Sequence, residues 1–116
     1  MSAIDKVVAH YQAGFNHFEV PEWDTTVYFY PVSVGAQSRI RELVSDKANE
    51  LQVNAAVVAI NALDAQGQRL YSDEDMEKLV NEADREVVIN VAARIMGVLN
   101  PDGSKPDTVE QAKKNS

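Results

Sequence analysis

A chain of 116 residues is the size of one domain around a single core, and 45% hydrophobic with 25% charged residues is an ordinary globular balance. It contains no cysteine, which excludes disulfides, thiolate metal sites and a cysteine nucleophile. Net charge is −7 and the 11 lysines and arginines are scattered, so nothing neutralises a run of phosphates; neither nucleic acid nor a membrane is expected as a partner.

The amino-terminal stretch "MSAIDKVVAHYQ" lacks the basic flank and unbroken apolar run of a signal peptide, and the longest apolar run anywhere is "AAVVAI", so a soluble, cytoplasmic protein is expected. Ile4, Val7, Val8, Tyr11, Phe15 and Phe18 recur at steps of three and four, which predicts a short helix ending near Gly14 with these side chains on one face. Ser2 followed by Asp5 has the spacing of a capping box at its start. Next, "HFEVPEWDTTVYFYPV" holds two pieces rich in β-branched and aromatic residues around an Asp24-Thr25 corner, and predicts a two-stranded hairpin over about residues 18–31. Alternation sends Val27 and Phe29 to one face and Tyr28 and Tyr30 to the other. A hairpin this short is not stable alone in water and must lie on helices or on another subunit.

From Ser33, a candidate cap, the period becomes helical through Ala36, Ile40, Leu43 and Val44, predicting a second helix to about Ser45. "ELQVNAAVVAINALD" carries apolar residues almost around the cylinder, as the most buried helix of a domain does. A buried strand through "AAVVAI" is the alternative, but the alanines and the length favour helix. In "LDAQGQRLYSDEDMEKL", Ser72 with Asp75 three residues on, acids in the first turn and Tyr71 facing Met76 mark a helix start at about Asp73. That helix runs to about Val80, and a further one is predicted over about Glu82 to Leu99, with Asn81 or Asp84 at the bend and Val88, Val91, Ala92, Ile95, Val98 and Leu99 on its stripe. The remainder, "NPDGSKPDTVEQAKKNS", has one lone apolar side chain, Val109, and too little to bury to offset ordering. The expected architecture is mainly α: a compact helical bundle with a small N-terminal hairpin in one domain over residues 1–99, then a disordered tail or linker over 100–116.

Few residues invite chemistry. Read as a calcium-binding loop from Asp64, the glycine-containing stretch puts Arg69 where a glycine is required, and capping explains its acids better. His10 and His17 are the only histidines and lack a third zinc ligand beyond ordinary carboxylates such as Asp5 or Glu19. No nucleophile, zinc-protease, phosphate-loop or dinucleotide pattern is present, so no enzyme, metal or cofactor is expected. Trp23, Tyr28, Phe29 and Tyr30 form the one aromatic concentration. With rings on both hairpin faces, one face is expected to pack on the domain and the other to serve partner binding or self-assembly, which makes Trp23, Tyr28 and Tyr30 the candidate contact residues.

Two stretches, "VPEWDTTVYFYPVSVGAQSRI" and "ALDAQGQRLYSDEDMEKL", in this order and spanning roughly Val20 to Gly97 with the helices between and after, resemble the small tail assembly chaperones of long-tailed bacteriophages. The resemblance implies a mainly α-helical protein that binds the long helical tape measure protein in the host cytoplasm, keeps it soluble, and is displaced as tail tube subunits polymerise, so that it is absent from the mature virion. It also implies self-association and a second, frameshift-extended form that engages the tail tube protein. Lys113-Lys114-Asn115 admits a nearly continuous run of adenines in its codons, the kind of sequence on which ribosomes slip. A phage connector or neck protein, or a small regulatory interaction domain, is the alternative; a connector would stay in the particle.

Overall fold

A computed structural model of the chain describes residues 2–44 and 49–105. Helix α1 (Ala3–Ala13) starts with the expected reciprocal cap: Asp5 N donates to Ser2 Oγ at 3.2 Å and Ser2 N donates to the Asp5 carboxylate at 3.3 Å. It stops at Gly14, where a Cβ would come within 2.6 Å of Pro31 Cγ, so only glycine lets the chain turn this closely against that proline. Strands β1 (Asn16–Val20) and β2 (Thr25–Phe29) follow as an antiparallel hairpin pairing Phe18 with Val27 and His17 with Tyr28. The connection is a 3₁₀ turn over Pro21–Trp23 and then Asp24 in the left-handed region at φ 48°, which aspartate tolerates better than most residues. Phe18, Val20, Val27 and Phe29 face the core. Phe18 therefore leaves the helical stripe expected of it: the helix ends at Ala13, and strand alternation, not the helical period, turns its ring inward.

Helix α2 (Val34–Leu43) begins where Ser33 Oγ accepts from Ala36 N at 3.1 Å, and buries Ile40. Helix α3 (Glu50–Asn61) is the centre of the domain, with every side chain from Ala55 to Ile60 buried and α2, α4 (Asp75–Asn81) and α5 (Arg85–Ile95) packed around it. Ala55, Ala59 and, on α5, Ala92 are at most 1% exposed, and their small side chains let the helix axes approach closely. Val88, Val91 and Ile95 complete the α5 side of this contact. Between α4 and α5 the chain breaks at Asp84, whose carboxylate accepts from Glu86 N at 2.9 Å. Among the described residues the architecture is mainly α, with five α-helices and a two-stranded hairpin.

The last helix is shorter than its apolar period suggests. Gly97 adopts φ 79°, Val98 N donates to Ala93 O at 2.9 Å and Gly97 N to Arg94 O at 3.3 Å, the pair of bonds by which a glycine after a helix closes its last turn. Val98 is thereby thrown off the stripe and is 66% exposed. Beyond it, Asn100 N donates to Ser104 O at 2.8 Å and Arg94 reaches Pro101 O at 3.3 Å, so residues 100–104 form a turn at the end of α5. Residues 106–116, where most of the expected tail and the Lys113-Lys114-Asn115 run fall, lie outside the described residues.

Candidate protein interface

The loop between α3 and α4 is built by its own polar groups. Asp64 Oδ1 accepts from Gln66 N and Gln68 N, both at 2.9 Å, and holds the turn containing Gly67 at φ 82°. Arg69 reaches back with Nε and Nη2 to Ala59 O at 3.1 and 2.6 Å, placing a cation on the unsatisfied carbonyls at the end of α3, and pairs with Asp73 at 2.9 Å. Asp75 N donates to Ser72 Oγ at 3.2 Å and Ser72 N to Asp75 Oδ2 at 2.9 Å, so the expected box forms, one turn before the regular part of α4. The carboxylates of a would-be calcium loop are thus engaged with backbone amides and with Arg69. Among the described residues no three His, Asp or Glu side chains converge as metal ligands would. Leu63 in this loop adds to the hairpin, exchanging backbone bonds with Tyr28 at 2.8 Å in each direction.

On the hairpin face away from the core, Tyr28 and Tyr30 meet the end of α1. Tyr11 stacks on Tyr30 at 5.0 Å between centroids, Phe15 on Tyr28 at 5.5 Å, and His17 tilts against Tyr28 at 5.1 Å. Offset aromatic pairs at these separations are favourable beyond the area they bury. They are what holds α1, because no residue of α1 is buried and its stripe faces solvent, with Ile4 65%, Val7 63% and Val8 45% exposed. Among the described residues, nothing covers the stripe that the sequence presents as a helix's packing face.

Trp23 sits elsewhere, at the hairpin turn, edge-on to Tyr71 with ring centroids 6.2 Å apart. These two rings, with Leu79, Ala83 and Val87, floor a cleft of about 830 Å³ between the hairpin turn and the α4–α5 junction. Burial raises the Tyr71 hydroxyl above its ordinary 10.0; the Thr25 side chain opposes that shift and the charge of Asp75 adds to it. The hydroxyl stays neutral at physiological pH. Of the three candidate contact residues, the fold brings Tyr28 and Tyr30 into one cluster and puts Trp23 in a separate cleft. Tyr11 and Phe15 join the first pair and Tyr71 joins Trp23, partnerships that link distant parts of the chain and leave no local signal.

No protein-family model matches this chain, and no curated protein matches it. Among solved structures the chain is similar to the tail assembly chaperone of bacteriophage HK97, with 26% identity, a TM-score of 0.48, and coverage of 86% of this chain and 97% of that one.

Proposed function

We propose that the protein is a tail assembly chaperone of a long-tailed bacteriophage, which binds the tape measure protein in the host cytoplasm, keeps it soluble while the tail is built, and is absent from the mature virion. The sequence resemblance supports the family. The observation that carries the chaperone action is α1: an apolar helical stripe, presented to solvent by an acidic domain and, among the described residues, anchored at its last turn. A helix of this length is marginal in water without a packing partner, and a long apolar-faced helix is the partner that such a stripe matches. Net charge of −7 works in the same direction, because a complex coated with like charges resists aggregation. The same stripe serves self-association when no tape measure helix is present, and Tyr28 and Tyr30 act with it by fixing the angle at which α1 leaves the body. The tail tube protein is engaged by a longer form made by frameshifting over the codons of Lys113-Lys114-Asn115.

Co-expression tests this reading. The tagged protein is produced with the long helical tape measure candidate, and the expected result is that the partner becomes soluble and is retained on the tag. A partner that stays insoluble with both the short and the extended forms would end the chaperone reading, and detection of the protein in purified particles would replace it with a connector.

A further inference from the structure

The cleft floored by Trp23 and Tyr71 is a second apolar surface, used neither by α1 nor by the outer face of the hairpin. Its floor side chains pack on the core from one side only and are half-buried apart from Leu79, which is buried. The rim carries four carboxylates, Glu22, Asp75, Glu82 and Asp84, against one ammonium, Lys78. Asp75 and Asp84 are held in place by the backbone amides of Ser72 and Glu86. Glu22 and Glu82 are exposed and accept no hydrogen bond among the described residues, and the one ion pair there, Arg69–Asp73, lies outside this rim. The cleft thus combines an aromatic and aliphatic floor with an excess of unneutralised negative charge.

We propose that this cleft is a docking groove for a cationic amphipathic helix of a partner protein. Apolar side chains at helical spacing would seat on Trp23, Tyr71 and Val87, and lysines or arginines bordering them would face Glu22 and Glu82. Charge decides the occupant: a helix bordered by acids would meet four carboxylates across the rim, and the body already carries the whole chain's negative excess. The inference rests on the chaperone reading only in taking the partner to be helical; place and charge preference come from the cleft itself.

Trp23 is the chain's one tryptophan, so its emission reports on the cleft alone. The full chain is titrated with a synthetic Leu/Ala helix of about 18 residues whose apolar face is bordered by lysines, and with the same peptide bordered by glutamates. The lysine peptide should shift Trp23 emission to the blue and saturate, and the glutamate peptide should not. A double variant, Glu22→Lys with Glu82→Lys, should weaken the lysine peptide about tenfold or more at low salt and leave the melting temperature unchanged, because both side chains are exposed. Val7→Asp on α1 should leave peptide affinity unchanged. Absence of the emission shift, equal binding of both peptides, or loss of binding in Val7→Asp but not in the double variant would each overturn the proposal. So would emission that changes with protein concentration without peptide and reverts in Val7→Asp, which would make α1 of a second copy the occupant. Peptide binding with failed rescue in co-expression would remove the chaperone reading and keep the cleft; rescue without peptide binding would do the opposite.

Discussion

Helices α1 and α3 have nearly the same length, 11 and 12 residues, and each begins with a reciprocal capping box, Ser2 with Asp5 and Asn49 with Gln52, yet α3 buries six side chains and α1 none. Local chemistry therefore decides that both segments are helical, and something non-local decides which is covered. For α3 the covering comes from three other helices that close on its alanines and valines. For α1 the described residues supply the Gly14–Pro31 contact and the rings of Tyr28 and Tyr30 at one end, and bury none of its side chains. On the proposed reading, an apolar stripe that the described residues leave uncovered is a surface for another molecule, and the difference between the two helices is then the difference between folding and binding.

The sharpest way to break this comparison is to put the same charge on both helices. Val58 on α3 is 0% exposed, so Val58→Asp buries a carboxylate with no partner and should cost about 4 kcal/mol or more, enough to abolish cooperative urea unfolding in a domain of ordinary stability. Val7→Asp, at a position 63% exposed, should change stability by less than about 0.5 kcal/mol and, on the proposed reading, abolish rescue of the tape measure protein. Equal destabilisation by the two would make α1 part of the core and remove the binding surface.

Next in size is the hinge between α1 and the body. Gly14→Ala drives a methyl group into the Pro31 ring, and relieving that overlap should cost about 1–3 kcal/mol. Because, among the described residues, this contact and the rings at its end are what anchor α1, the expected response is a swing of the helix, seen as loss of the near-ultraviolet circular dichroism of Tyr11, Phe15 and Tyr30 with the far-ultraviolet signal largely kept. An unchanged aromatic signal would show that Pro31 yields instead.

What could be read from the sequence follows the same division. The caps at Ser2, Ser33 and Ser72 were legible because each bond spans three residues, and the inward face of the hairpin was legible because Val27 and Phe29 alternate with Tyr28 and Tyr30. The end of the last helix is not legible, because the apolar period continues through Val98, whereas Gly97 ends the helix by a backbone conformation that costs glycine little. The site was the least legible part. Trp23, Tyr28 and Tyr30 were singled out as aromatic, but their division between two surfaces depends on Tyr71 and on Tyr11, which reach them only through the tertiary fold. Glu22 and Glu82 gather on one rim for the same reason.

The capping boxes of α1 and α3 give a finer test. Asn49→Ala should lower global stability by about 1 kcal/mol, the usual worth of a helix cap, because α3 cannot fray without opening the core. Ser2→Ala removes an equivalent cap, but α1 is not coupled to the core, so its loss should appear as faster hydrogen exchange within α1 and no shift in the global urea midpoint. A matching shift for both caps would mean that α1 folds and unfolds with the rest.

The cleft is the intermediate case, half covered by its own chain, and its smallest signature is alkaline. Burial holds the Tyr71 hydroxyl in its neutral form, so its pKa in the folded protein lies above the ordinary 10.0 of the unfolded chain. Below that ordinary value both states keep the proton and the contribution to stability is fully present. As pH rises past it, the unfolded chain releases its proton first and the folded state binds more protons, so stability falls until the folded pKa is passed. Unfolding followed between neutrality and alkaline pH should therefore show a decline that Tyr71→Phe reduces, since phenylalanine fills the same floor beside Trp23 without a group to ionise. An identical decline in the variant would place the titrating group elsewhere and would mean that the cleft floor is wetter than the packing of Tyr71 against Trp23 implies.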